Sequence, residues 1–158
     1  MRKFLEAVAL LILVANLAVT GDALLGPHAL PSRIPTHFAI TGEANAWGTP
    51  RMLLLLPLIS LALYVLMTFL SRRPASFNYP APITAQNRNR LHRLAVEMLA
   101  WLKAEVLTLF ALIQFFAIRT VRMEQNVLPV WLMPVGMVLI FGTVFWYIRA
   151  MRRAAYQR

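Results

Sequence analysis

Hydrophobic residues are concentrated in four long blocks, which polar and basic segments separate. The blocks predict helices at about residues 4–25, 50–70, 85–119 and 130–150. The first block has 22 residues, which span about 33 Å as a helix and suffice to cross a hydrocarbon core of about 30 Å. We therefore expect an all-α integral membrane protein with four transmembrane helices, in which residues 1–158 form a single membrane domain.

The third block is too long for the bilayer alone, because about 35 residues form a helix of about 52 Å. Its start is amphipathic, with apolar residues recurring every three or four positions at Leu91, Leu94, Ala95 and Met98 between basic residues. We expect this start to lie at the cytoplasmic membrane surface and the span itself to cover about residues 99–118.

Composition supports a membrane protein. Hydrophobic residues make up 59% of the chain and charged residues 14%, whereas about a quarter of a soluble domain is charged. The absence of cysteine excludes disulfides and thiolate chemistry. A net charge of +10 would suit nucleic acid, but the basic residues lie at the ends of the apolar blocks, as topology signals do. We therefore expect no nucleic-acid partner and expect the basic residues 88–93 to be attracted to anionic lipid.

The basic residues also predict the orientation. With the N-terminus inside, twelve basic residues are cytoplasmic and only four (Arg33, Arg51, Arg119 and Arg122) lie in outer loops. Because Lys and Arg are enriched on the cytoplasmic side, we expect a bacterial inner-membrane protein with both termini cytoplasmic. A cleaved signal peptide is the alternative for the first block, but Glu6 at its head and its extension to Leu25 favour a retained span.

The outer loop, residues 26–49, concentrates the unusual residues of the chain. Pro31 and Pro35 restrict the residues before them to extended conformations, which stiffens the loop. Residues 36–40 are a candidate short strand, and residues 41–43 are a candidate turn.

We expect this loop to form a small rigid cap. Its apolar side, formed by Ile34, Phe38 and Ile40, would rest on the outer helix ends, and Trp47 would fold back onto the membrane surface.

The loop reads L-P-x-x-I-P-x-H-F-x-x-x-G-E and is followed by W-G. It resembles a bacterial membrane domain of unknown function that forms the N-terminal part of the SdpI-like family, which includes an immunity protein against a peptide toxin. The resemblance covers about residues 5–70 and implies a loop that recognises a peptide, an envelope component or a membrane protein. The matching residues are Leu30, Pro31, Ile34, Pro35, His37, Phe38, Gly42, Trp47 and Gly48.

His37 is the loop residue with the widest chemistry. It could bind a ligand or a metal, act as a proton switch, or tie the strand to a helix end through a structural hydrogen bond. His28 and Glu43 are the other candidate ligands, but their spacing is not that of a zinc site, which needs three or four ligands. We therefore expect no metal and no cofactor. Glu43 is otherwise a turn residue or a partner for Arg33 or Arg51.

Polar residues inside the spans form the second set of candidates. A carboxylate at Glu105, inside the third span, is costly unless it is paired or protonated. It is either a proton or solute site or a partner for a basic residue of a neighbouring helix. Lys103 faces another side of the helix and is expected to snorkel to the cytoplasmic surface. Asn16, Gln114 and Asp22 are candidates for interhelical hydrogen bonds.

The sequence contains no nucleophile–base pair and no phosphate-binding glycine loop, so we do not expect an enzyme; a membrane hydrolase using His37 and Glu43 is the weakest alternative. The first hypothesis is an interaction or immunity-type module within the lipid bilayer, which binds a peptide, a membrane protein or a second copy through the outer loop. The alternative is a small proton- or solute-transporting protein that uses Glu105.

Overall fold

Four long helices form the protein in a computed structural model that describes residues 1–27, 29–124 and 127–156. They are α1 (Arg2–Leu25), α2 (Leu55–Leu70, which continues a 3-10 helix at Pro50–Leu54), α3 (Arg88–Arg122) and α4 (Leu132–Tyr156). All four are long and apolar enough to cross a membrane, α2 together with its 3-10 helix. The chain is therefore built as a multi-pass membrane protein.

A small sheet accompanies the helices. Strands β1 (Ile34–Phe38) and β2 (Ala44–Gly48) pair in antiparallel orientation between α1 and α2, so the expectation of a purely α-helical fold is corrected by a hairpin. We call the end of the bundle that carries it the hairpin end. The opposite end, which holds Met1 and Tyr156, is the terminal end.

Helix α3 is the centre of the bundle, because it packs against the other three helices while α4 packs mainly against α3 alone. Where α4 packs against α3, Gly136 of α4 lies against Leu109 of α3. A Cβ added at Gly136 would come within 2.7 Å of Leu109 Cδ1. The missing side chain therefore lets the two helices approach closely.

Pro134 is the third residue of α4, where a backbone N–H has no partner within the helix, so it removes no helical hydrogen bond. Pro57 is the third residue of α2, but the 3-10 helix precedes it without a break, so its missing N–H lies inside a continuous helical segment. The Leu53 carbonyl, four residues before Pro57, accepts a hydrogen bond from Gln114 Nε2 at 2.9 Å.

Several helix boundaries differ from those predicted by two to six residues. Helix α3 begins at Arg88 and not at residue 85. Thr84 and Asn87 cap its start as a reciprocal pair, in which each side-chain oxygen accepts from the other residue's backbone N–H, at 3.3 and 2.8 Å. Helix α4 continues to Tyr156 and not to residue 150. Its last turns are held by a buried cluster with the start of α3, which consists of Leu91, Ala95, Tyr147, Met151 and Ala154.

Candidate functional site

Strand β1 is anchored to the hairpin end through Ile34. The proline that follows Ile34 favours an extended backbone there, and the Ile34 side chain is 1% exposed. It packs with Ala23 of α1, Leu53 of the 3-10 helix and Ile118 of α3. The hairpin is therefore attached to three segments of the bundle at one point.

The other two apolar cap residues do not behave alike. Phe38 is half-buried, whereas Ile40 is 97% exposed, so the expectation that Ile40 rests on the helix ends is wrong. The physical reason is that β1 ends at Phe38 and the turn begins at once, so the strand alternation does not reach Ile40.

The turn is closed by Gly42. Gly42 N–H donates to the Ala39 carbonyl at 2.9 Å, and Ala39 N–H donates to the Glu43 carbonyl at 2.8 Å. Gly42 has a φ of 83°, as expected for the last residue of a three-residue hairpin loop. Leu128 N–H then donates to the Gly42 carbonyl at 2.8 Å, and a Cβ on Gly42 would collide with the Leu128 carbonyl oxygen. The turn is thus tied to the loop between α3 and α4.

His37 links the two strands of the hairpin. Its Nδ1 lies 2.5 Å from Oδ1 of Asn45 in β2, so the hydrogen bond runs between strands and not, as expected, to a helix end. Because an amide oxygen only accepts, Nδ1–H is the donor. In the neutral ring, Nε2 then remains an acceptor on an exposed side chain.

The structure does not bring His37 and Glu43 together. The Glu43 carboxylate accepts a long hydrogen bond of 3.5 Å from Thr41, and across residues 1–27, 29–124 and 127–156 it forms no ion pair with Arg33 or Arg51. His28 lies outside the described residues. Within the described part of the chain, no three His, Cys, Asp or Glu residues could share a metal ion.

A groove of ≈ 540 Å³ lies between β1 and the segment that leads into α4. One wall is formed by five consecutive residues, 36–40, and the other by residues 128–130 and 132–134 with Ile113. Residues 36–38 belong to β1, and residues 39 and 40 belong to the turn. Side chains alternate between the two faces of a strand, so three consecutive strand residues can line one groove only if the backbone edge does. The groove is otherwise lined mainly by apolar residues. The second wall was not predicted from the sequence.

The remaining motif residues frame this hairpin. Pro31 is exposed just before β1, and Pro35 is buried within it. Pro35 pairs with Trp47 of β2, and Trp47 is 44% exposed. A proline in β1 fits an edge strand, because it cannot donate to a neighbour.

Lys103 is buried and does not snorkel, which corrects the expectation for this residue. It is 1% exposed, and its Nζ lies 2.5 Å from Oε2 of Glu6 on α1. The ammonium also donates to Thr68 Oγ1 of α2 at 2.8 Å and lies 4.7 Å from the centre of the Tyr64 ring. Because Glu6 neutralises the charge within the bundle, Lys103 does not need to reach water.

Glu105 faces α4, away from this ion pair. Its Oε1 accepts a hydrogen bond of 2.6 Å from Thr143 of α4, so its partner is a hydroxyl group and not a basic residue. The other oxygen, Oε2, is buried and has no hydrogen-bond partner within residues 1–27, 29–124 and 127–156. Glu105 borders an apolar groove of ≈ 360 Å³ between α1, α3 and α4.

Gln114 and Asn16 belong to a third polar group, nearer the hairpin end. Gln114 Nε2 donates to Thr20 Oγ1 of α1 at 2.8 Å and to the Leu53 carbonyl at 2.9 Å. Thr20 in turn donates to the backbone carbonyl of Asn16, within α1, at 2.8 Å. The Asn16 side-chain Nδ2 is buried and has no hydrogen-bond partner among the described residues, so no interhelical hydrogen bond of this side chain is seen there. Asp22 pairs instead with Arg122 at an exposed site, at 2.7 Å. These contacts join α1, α3 and the 3-10 helix.

Comparison with known proteins bears on the first part of the chain. Residues 8–61 match the family model described as "Domain of unknown function (DUF1648)", which is 54 of the 158 residues (61 − 8 + 1). The match covers most of α1, the hairpin and the start of α2. This match agrees with the prediction, made from the loop motif, that the first part of the chain is a domain of unknown function. The match gives no link to the SdpI-like family. No curated protein and no solved structure matches the chain.

Proposed function

We propose that this protein is a membrane-embedded binding module that takes up an extended peptide segment of a partner in the groove at the hairpin end. The observation that carries the proposal is the edge of β1. Residues 36–40 line the groove consecutively, and no backbone hydrogen bond described for residues 29–124 and 127–156 joins them to the opposite wall. An open strand edge pairs readily with another extended chain.

The lining of the groove indicates which peptide would fit. The walls are mainly apolar, so apolar side chains would fill them, while the strand edge supplies hydrogen bonds to the peptide backbone. The exposed Nε2 of His37 adds one acceptor on the same wall. Ile40 and Trp47 are exposed on the hairpin and offer further contact area.

The orientation of the protein in the membrane decides on which side the hairpin would meet such a partner. Without Lys103, which is buried in the bundle, eleven basic residues lie on the side of the termini and four on the side of the hairpin. This split supports a bacterial inner-membrane protein with both termini in the cytoplasm and the hairpin outside. The peptide would then belong to an envelope protein, to another membrane protein or to a secreted peptide. The last of these is what the resemblance to the SdpI-like immunity family suggests.

Selection of peptides tests this function. A random-peptide library is panned against the protein in lipid nanodiscs, and the enriched peptides are measured against His37→Ala, Trp47→Ala and the control His92→Ala. We expect peptides with alternating apolar residues, whose binding weakens about tenfold in His37→Ala and is unchanged in His92→Ala, a histidine far from the groove near the start of α3. Failure to enrich any peptide, or equal loss in both histidine variants, contradicts the proposal.

Proton or solute transport through Glu105 is the second candidate. It is supported by the buried Oε2 atom beside an apolar groove, which has no hydrogen-bond partner in the part of the chain that the structure describes. Transport would be seen as flux into proteoliposomes that Glu105→Gln abolishes while Thr143→Val only reduces it. Equal flux in the wild-type protein and Glu105→Gln rejects it.

A further inference from the structure

Four arginines line one groove near the terminal end of the bundle. Arg90 and Arg93 come from α3, and Arg149 and Arg153 come from α4. The groove has a volume of ≈ 280 Å³. Its other lining residues are Leu94, Trp146, Ala150 and Ala154. The groove therefore combines positively charged side chains with apolar ones.

Helical spacing places these arginines together. Trp146, Arg149, Ala150 and Arg153 follow the i, i+3, i+4, i+7 pattern, which puts them on one face of α4. Beneath them lies the buried cluster that joins the start of α3 to the end of α4. The arginines therefore project from a packed helix pair, and their positions relative to one another are set by the core.

The charge of the groove calls for an anion. None of its lining residues is acidic, and Glu97, the next acid along α3, is not among them. Several positive charges around one small space attract an anion. Guanidinium groups bind phosphate oxygens in pairs of parallel hydrogen bonds, so a phosphate group is the anion best matched to this wall.

The position of the groove along α4 points to a lipid phosphate. Counted from Leu132, the about 20 residues that cross a hydrocarbon core end near Met151, so the groove lies where hydrocarbon meets headgroups. Trp146 is 60% exposed there, as expected at an interface. Phe141 and Phe145 are 62% and 69% exposed further along α4 and offer a surface for acyl chains.

We propose that the groove lined by Arg90, Arg93, Arg149 and Arg153 binds the phosphate headgroup of an anionic phospholipid. The lipid would lie with its phosphate among the guanidinium groups and its chains along α4. This site is separate from the peptide groove, since the two lie at opposite ends of the bundle.

Matched double variants test the site. Arg149→Gln with Arg153→Gln removes two charges from the groove, and Arg88→Gln with Arg152→Gln removes two exposed charges nearby that do not line it. Binding of phosphatidylglycerol and of phosphatidylcholine to each protein is measured by native mass spectrometry. We expect the wild type and the control to retain phosphatidylglycerol preferentially and the groove variant to bind it about tenfold more weakly. Equal loss in the two variants indicates general attraction by surface charge and overturns the proposal.

Two further measurements complete the test. Arg149→Lys with Arg153→Lys keeps the charge but loses the paired hydrogen bonds. We expect this variant to bind phosphatidylglycerol more weakly than the wild type and more tightly than the glutamine variant. It also provides a test of the site if the glutamine variant folds poorly. Inorganic phosphate is added to the protein in phosphatidylcholine nanodiscs that contain a trace of phosphatidylglycerol. Continued retention of the lipid supports a lipid site, whereas displacement by inorganic phosphate assigns the groove to a soluble phosphate ligand and overturns the lipid proposal.

Discussion

Lys103 of α3 and Glu6 of α1 form an ion pair of 2.5 Å inside the bundle, with the lysine side chain 1% exposed and the glutamate 25% exposed. The pair is completed by Thr68 and the ring of Tyr64, both from α2. One ammonium therefore joins three helices, and Glu6 compensates its charge within the bundle.

Removal of one member of this pair should be costly. Glu6→Gln leaves the Lys103 charge buried with Thr68 and Tyr64 alone, and we expect a loss of about 3 kcal/mol in the free energy of unfolding. Adding Lys103→Met to Glu6→Gln should recover most of that loss, because no uncompensated charge remains. The measurement is unfolding in detergent micelles, with the exposed Lys3→Met as control. Losses that simply add in the double variant would show that the two residues are not coupled.

Gln114 should contribute a smaller stabilisation. In Gln114→Leu the Leu53 carbonyl and the Thr20 hydroxyl lose their donor, and we expect a loss of about 1 kcal/mol in the free energy of unfolding, near the size measured for hydrogen bonds between membrane helices. Gln86→Leu, at an exposed position before α3, should change stability by less than about 0.5 kcal/mol. Equal effects of the two substitutions would argue against the buried contact.

Gly42 should tolerate no side chain. Gly42→Ala combines a φ of 83°, which costs an L-residue about 1–2 kcal/mol, with a collision against the Leu128 carbonyl. We expect faster hydrogen exchange at the Leu128 amide and easier proteolysis of the hairpin end, while the helices stay folded. Gly142→Ala, on an open face of α4, is the control and should leave exchange at Leu128 unchanged. Unaltered exchange in Gly42→Ala contradicts the tie between turn and loop.

Orientation can be measured cleanly because the chain has no cysteine. Single cysteines at the exposed positions Thr41, at the hairpin end, and Ala75, between α2 and α3, are treated with a membrane-impermeant maleimide in intact cells. We expect Thr41→Cys to react and Ala75→Cys to react only after lysis, since the basic residues favour cytoplasmic termini. The reverse pattern would invert the proposed topology.

Helix positions could be predicted from sequence because block length and apolar periodicity depend on local residues alone. The hairpin was predicted only in part. The candidate strand at residues 36–40 is observed at Ile34–Phe38, and its partner Ala44–Gly48 was missed because this segment shows no alternation. Strand pairing depends on the register across the turn, and that register is not visible in either strand by itself.

The roles of Lys103 and Glu105 could not be predicted, because they depend on which helices flank α3. Spacing shows that residues two apart point to different sides of a helix. It does not show that α1 and α2 lie on the side of Lys103 while α4 lies on the side of Glu105. Glu6 could have indicated the ion pair, because an acidic residue at the start of an apolar block is expected to have a basic partner inside the membrane.

The central claim, that the hairpin groove receives an extended peptide segment, is tested most directly by photo-crosslinking in cells. A benzophenone amino acid replaces Ile40, 97% exposed on the groove wall, or Val138, 71% exposed on α4 and used as control. We predict that position 40 crosslinks to one contiguous segment of a single partner and that position 138 does not form this adduct. A synthetic peptide of that segment should bind the purified wild type about tenfold more tightly than His37→Ala. Adducts at position 40 with lipid alone, or the same adducts at both positions, would contradict it.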